Sequence, residues 1–194
     1  MRHLAPIETE RLIIRTWEPR DRAPYAEFLS DPILRKYFRS VIDAETANRW
    51  IDGYVEELAT TQFGWRAVER KSDGILIGDS GIGLIDEPSR AVMRGCPLVE
   101  AGWTIGRPYW GQGYATEAAA ACLHHAWTHR GFTEVVAAAH QENIASHRVM
   151  EKIGMWRDLD GDFEDPRFAE GHWLRPHLLY RISNPGLTGA ETPR

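Results

Sequence analysis

Gly111 and Gly113 stand between a run of strand character, residues 98–105, and a long helical stretch, residues 115–130. That junction limits the architecture more than any other feature of the chain. Ala115, Ala119, Cys122, Leu123, Ala126 and Trp127 recur at helical spacing and form one apolar stripe. Gly131 follows as a helix-ending residue. Residues 135–139 are then continuously apolar, as a central strand buried on both faces requires. A strand–helix–strand unit over 98–139 is therefore expected near the middle of the chain.

Around this unit the order is mixed. Residues 10–17 read as a first strand and 23–29 as a short helix. A second helix is expected after Asp43, with Trp50, Ile51, Tyr54, Val55 and Leu58 on one side. Strands over 63–68 and 75–85 flank the turn Lys71-Ser72-Asp73-Gly74, which suits a hairpin. Residues 86–97 read as a loop. Asn143 is placed to cap a helix carrying Ala145, Val149, Met150 and Ile153 and stopping at Gly154. Residues 155–182 suggest a last hairpin interrupted by a polar loop over 158–172. The expectation is an α+β layer, one domain over 1–183, with a flexible tail over 184–194.

Composition excludes several classes. The chain has 194 residues, 43% hydrophobic and 26% charged, which is ordinary for a globular domain. A net charge of −5 without long like-charge blocks argues against nucleic-acid binding and leaves a cationic partner unrepelled. No apolar run approaches a membrane span, and no leader-like segment opens the chain, so a cytoplasmic protein is expected. Cys96 and Cys122 form no CxxC. His125 and His129 are four apart on a helix, but the Glu of a zinc peptidase motif is missing, and no metal is expected.

A strand, a Gly-x-Gly turn and an immediate helix have a physical use. Glycines adopt positive φ and let backbone approach a ligand closely. The unpaired first-turn amides, backed by the helix dipole, then form a seat for phosphate or diphosphate. A dinucleotide fingerprint would need a third glycine where Thr116 stands, and a triphosphate loop would need Gly-Lys-Ser/Thr. By itself the turn remains compatible with a tight connection that holds nothing.

The neighbours of the turn carry a resemblance. The run Tyr109-Trp110-Gly111-Gln112-Gly113-Tyr114-Ala115-Thr116-Glu117-Ala118 is similar to the coenzyme-binding signature of the GCN5-related N-acetyltransferase (GNAT) superfamily. It is closest to the branch containing ribosomal-protein N-terminal acetyltransferases, where Trp110 replaces the usual Arg or Gln. Glu10-Arg11-Leu12-Ile13-Ile14-Arg15, Glu100-Ala101-Gly102-Trp103-Thr104-Ile105, and Asn143-Ile144-Ala145-Ser146 through Gly154-Met155 resemble that branch in the same order. The resemblance covers about residues 8–181.

It implies a GNAT-like fold with a mixed, mostly antiparallel sheet whose fourth and fifth strands splay, flanked by helices. Acetyl-CoA would be the co-substrate. Its pantetheine arm would pair with backbone of Trp103, Thr104 and Ile105 and meet Asn143. Its diphosphate would rest on Gln112, Gly113, Tyr114, Ala115 and Thr116. Glu100 would accept the amine proton through water, unless it is a structural hydrogen-bonding group. Ser146 would contact the leaving thiolate, since Met150 stands where many members carry a tyrosine; helix packing is its alternative. Asn143 is equally a helix cap.

Trp17, Trp50, Trp65 and Trp103 are candidates for an aromatic acceptor wall, with core packing as the plainer reading. The acidic run Asp158, Asp160, Asp162, Glu164 and Asp165 reads as a solvated surface. The acceptor is expected to be an amine, either a peptide N-terminus or a small molecule, and the protein a monomer or homodimer. A coenzyme-binding module without catalysis is the competing class.

Overall fold

The structure, a computed structural model, describes residues 4–186. Nine strands form one sheet: β1 Ile7–Glu8, β2 Leu12–Arg15, β3 Gly64–Arg70, β4 Ile75–Leu84, β5 Val99–Ile105, β6 Glu134–His140, β7 Trp156–Arg157, β8 Phe163–Glu164 and β9 Pro176–Ser183. Their order is β1-β2-β3-β4-β5-β6-β9-β7, with β8 also on β9. Among the described strands only β5 and β6 run parallel, as the helical crossover between them demands. The helices are α1 Arg22–Ser30, α2 Ala44–Thr61, α3 Glu87–Val92, α4 Tyr114–Arg130 and α5 Ile144–Lys152.

Side chains alternate across the strands, so the sheet has two cores. Leu12, Ile14, Val68 and Ile77 face α4 and pack on Ala118, Cys122, Leu123 and Ala126. The adjacent residues Ala67 and Leu76 face the other way, onto Tyr25 and Leu29 of α1 and Ala47, Ile51 and Leu58 of α2. The α4 stripe is built of small residues, which lets that helix lie close to the sheet. Its end is fixed by Gly131 at φ 63, a left-handed conformation that costs a glycine little.

Two expectations need correction. Residues 87–92 form α3 where a loop was read: Asp86 caps Ser89 N at 2.8 Å, and Pro88 sits in the first turn, where its missing N–H costs nothing. The acidic run is only partly solvated, because Asp158 and Asp165 are buried. Asp158 is held by Arg181 Nε at 2.7 Å and Arg94 Nη1 at 3.0 Å, and Asp165 by Arg167. Arg94 and Arg181 are remote in sequence, so a charge run could not show them. Trp17 follows the plainer of its two readings and belongs to the core, its indole N–H donating to Trp65 O at 2.9 Å and its ring packed on Tyr25 and Tyr54.

The position read as the start of a flexible tail is anchored at Asn184, which donates to Phe132 O at 3.0 Å through its side chain and to Thr133 O at 2.9 Å through its backbone. The rest of that stretch, 187–194, lies outside the described residues.

Candidate active site

β5 and β6 occupy the places of the splayed pair. β5 is laddered to β4 from Leu84↔Val99 to Gly78↔Ile105, and β6 to β9 from Glu134↔Ser183 to His140↔His177. Between β5 and β6, however, the register holds at one position, Glu100↔Val136. Beyond it the strands part, leaving backbone groups of residues 101–105 on that edge without a strand partner. Such an edge is a template for an extended polar chain.

At the far end of β5 the chain passes into the glycine turn. Trp110 Nε1 donates to Ile105 O at 2.6 Å and so ties the turn to the strand it leaves. Gly111 and Gly113 have φ 74 and 83. Among the described residues, no backbone N–H from Gly111 to Thr116 donates to a protein acceptor; Glu117 N is the first that does, to Gly113 O at 3.0 Å. These consecutive amides, at the positive end of α4, fit a diphosphate. Arg11, just before β2, holds the turn: Nη1 reaches Gln112 O at 2.9 Å, Nε reaches Glu117 Oε2 at 2.7 Å, and the guanidinium lies 4.5 Å from the Tyr114 ring centre. The side chain of Tyr114 is buried, so this residue offers its amide rather than its ring.

A cavity of about 490 Å³ opens where the strands part. Its floor is Trp65 of β3, Asp79 of β4 and Glu100, Gly102 and Thr104 of β5. Gly102 is required there, because a Cβ would stand 2.5 Å from the Trp65 ring. One wall is the α5 face of Asn143, Ser146 and Met150, three residues at helical spacing. Tyr25, Tyr54, Trp50 and Arg35 form the opposite wall, and Arg167 and Phe168 come over from the polar loop.

Two carboxylates in this cavity titrate far from their usual range. Burial pushes Glu100 up to about 7, helped by Asp86 and Asp165 and opposed by Arg167. Burial also pushes Asp79 up to about 7, held back by hydrogen bonds from Thr104 and Tyr25. Asp79 Oδ1 has no partner among the described residues. A group whose proton binds more tightly in the folded state than in the unfolded one loses stability as pH rises between the two values, here from about 4 to about 7. Asp79→Asn is therefore expected to be more stable than the parent at pH 8, by on the order of 2 kcal/mol, and to lose that advantage near pH 4. Chemical denaturation at the two pH values measures it.

On α5, Asn143 Oδ1 accepts from Ser146 N at 3.3 Å, so Asn143 is the helix cap that the sequence suggested. That bond uses only the oxygen, and the amide nitrogen is left for another acceptor. The Ser146 hydroxyl makes no hydrogen bond with a described residue and lines the cavity.

The sequence profile described as acetyltransferase (GNAT) domain matches residues 11–156. The chain belongs to the GNAT family. This family moves an acetyl group from acetyl-CoA to an amine. The uncharacterized protein YkkB of Bacillus subtilis is 34% identical over 155 residues, 76% of this chain and 83% of that one. A GNAT-family acetyltransferase from Bacillus anthracis superposes with a TM-score of 0.75 at 27% identity, covering 92% of this chain and 98% of that one. RimL, a ribosomal L7/L12 alpha-N-protein acetyltransferase solved in complex with coenzyme A, has a TM-score of 0.71 at 12% identity, over 92% and 97% of the two chains, which is a likeness of fold.

Within this GNAT domain, the cavity brings together Glu100, Trp103, Thr104, Asn143 and Ser146 of the residues singled out in the sequence. Ile105 and the turn 112–116 lie outside its lining, and Ile105 packs in the α4-facing core. Trp50, Trp65 and Trp103 line it, whereas Trp17 does not. Sequence reasoning missed Asp79, Arg35 and Arg167. Asp79 left one signal, a lone carboxylate in the otherwise apolar and small run 75–85. Among the described residues, no three His, Cys, Asp or Glu side chains gather as a metal site, and no helix is long and apolar enough to cross a membrane.

Proposed function

We propose that this GNAT domain acetylates a small primary amine that enters the cavity above Glu100. The observation that carries this reading is the meeting of three things at one gap: an unpaired β5 edge, a carboxylate that titrates near neutrality, and the Ser146 hydroxyl. Acetyl-CoA would lie with its diphosphate on the amides of Gln112, Gly113, Tyr114, Ala115 and Thr116. Its pantetheine arm would follow Trp103, Thr104 and Ile105, with the Asn143 amide as a further donor.

The ammonium first loses its proton to Glu100 through water. The neutral amine then attacks the thioester carbonyl, a C–N bond forms, and the C–S bond breaks. Backbone N–H groups of β5 stabilise the oxyanion. The departing sulfur takes the Ser146 hydroxyl as its hydrogen-bond donor and leaves as coenzyme A, taking up the second proton, which the attacking nitrogen sheds as the amide forms. A carboxylate near pH 7 in its titration suits the first task, since it is partly ionised and still basic enough to accept a proton.

A peptide N-terminus is the alternative acceptor. It is favoured by the resemblance of the run from Tyr109 to Ala118 to ribosomal-protein acetyltransferases. Thiol release from acetyl-CoA, measured over small amines and short peptides, decides between them. Saturable turnover of a small amine supports the proposal. Acetyl-CoA binding without turnover of any acceptor would leave a non-catalytic module. In the same assay Ser146→Ala is expected to lower kcat by about fivefold to tenfold, the worth of one hydrogen bond to a developing charge. Wild-type kcat in that variant would remove Ser146 from the reaction.

A further inference from the structure

Among the described residues, Arg35 has no carboxylate as an ion-pair partner. It lies between α1 and α2, is 7% exposed, and lines the cavity. Its Nε donates to Ser40 O at 2.9 Å, while its two terminal nitrogens donate to no described residue and no described carboxylate lies within ion-pair distance. The guanidinium sits 4.0 Å from the Phe38 ring centre and 5.6 Å from that of Trp50. Burial lowers its pKa, and the Asp79, Tyr25 and Tyr54 side chains only partly offset that.

Other buried arginines here are treated differently. Arg15 holds Asp21 at 2.7 Å and Glu69 at 2.8 Å, and Arg181 holds Asp158 and Glu134, both at 2.7 Å. Arg66 also lacks a carboxylate, but it opens on a void of about 20 Å³, which has room for a water and no more. Arg35 opens on about 490 Å³, enough for a small ligand. A buried, unpaired guanidinium is costly unless a counter-charge arrives.

We infer that Arg35 receives the carboxylate of an amino-acid acceptor, whose amine is thereby held toward Glu100. The cavity has both poles of such a molecule: a guanidinium edge flanked by aromatic rings on one wall, and carboxylates on the floor. The planar edge presents two N–H donors to one planar carboxylate. A phosphate dianion would want more buried donors than this wall supplies. The assignment of the reacting end rests on the acetyl-transfer reading; the assignment of the carboxylate seat does not.

The test is equilibrium binding in the presence of coenzyme A, read by quenching of protein tryptophan fluorescence, since Trp50, Trp65 and Trp103 line the cavity. The probes are the common amino acids, their carboxamides, their decarboxylated amines and aminoalkyl phosphates. At least one amino acid is expected to bind about tenfold tighter than its carboxamide and its decarboxylated amine. Arg35→Gln should reduce that preference to about twofold or less with coenzyme A affinity unchanged, and Arg35→Lys, which keeps the charge but not the fork, should give an intermediate value. If the glutamine variant does not fold, the lysine variant carries the comparison alone.

Equal binding of amide and acid, a preference that survives in the variants, tighter binding of an aminoalkyl phosphate, or no binding of any probe overturns the inference. Thiol release is scored separately. Amino-acid binding without turnover sinks the proposed function and leaves the Arg35 seat standing. Turnover of amines with no preference for a carboxylate does the reverse.

Discussion

Glu100→Gln is expected to lower kcat/KM for an amine acceptor by about 100-fold to 1000-fold at pH 7, the range typical of a lost general base. The amide keeps the size and shape of the side chain but accepts no proton at this pH. Because burial places Glu100 at about 7, the parent rate should rise with pH through that value. In the variant this limb disappears, and the remaining rise follows only the acceptor amine's own deprotonation. The deficit is therefore largest near neutrality and narrows in alkali, where the amine is already neutral. Folding provides the control. The raised value of Glu100 means that its charge opposes the folded state above pH 7, so Gln at this position is expected to keep or increase stability at pH 8. Parallel pH profiles for parent and variant, whatever the absolute rates, would show that Glu100 is not the base.

The parts of this site that the sequence disclosed share a physical property: they depend on local backbone. The turn, the cap at Asn143 and the helix face of Asn143, Ser146 and Met150 are all fixed within a few residues, by glycine conformation, side-chain capping and helical periodicity. The long elements were legible for the same reason. What stayed hidden depends on contacts between distant segments. Asp79 meets Tyr25 and Thr104 only because α1 packs on the sheet and β4 pairs with β5. Arg167 comes near Glu100 only because the loop before β9 is pinned at Asp165. The burial of Asp158 needs Arg94 and Arg181 together, so a run of acids looked solvated when two of its members are interior. Arg11 is a mixed case. Its motif resembled a first strand, and its job of bracing Gln112 and Glu117 emerged only once β2 lay beside α4.

Because the proposed diphosphate seat is made of backbone amides, it can be tested in a way that separates binding from folding. Thr116→Glu adds a carboxylate to the first turn of α4. With the seat empty, this substitution should be neutral or slightly stabilising, by up to about 1 kcal/mol, because an acid near the positive end of a helix dipole is favourable. With acetyl-CoA present, the new charge faces a diphosphate. At a separation of about 5 Å and an effective dielectric constant of about 40, the repulsion amounts to about 3 kcal/mol, or about two orders of magnitude in affinity. Acetyl-CoA affinity should therefore fall about 100-fold while the midpoint of thermal unfolding without ligand holds or rises. Added salt should recover part of the loss, as screening requires. An unaltered affinity would place the diphosphate away from the amides of Gly111 to Thr116, whatever the glycine turn resembles. A fall in both affinity and stability would mean that Thr116 supports the helix, leaving the seat to be probed at Gly113. There φ is 83, and a β-branched residue would distort the turn without adding charge.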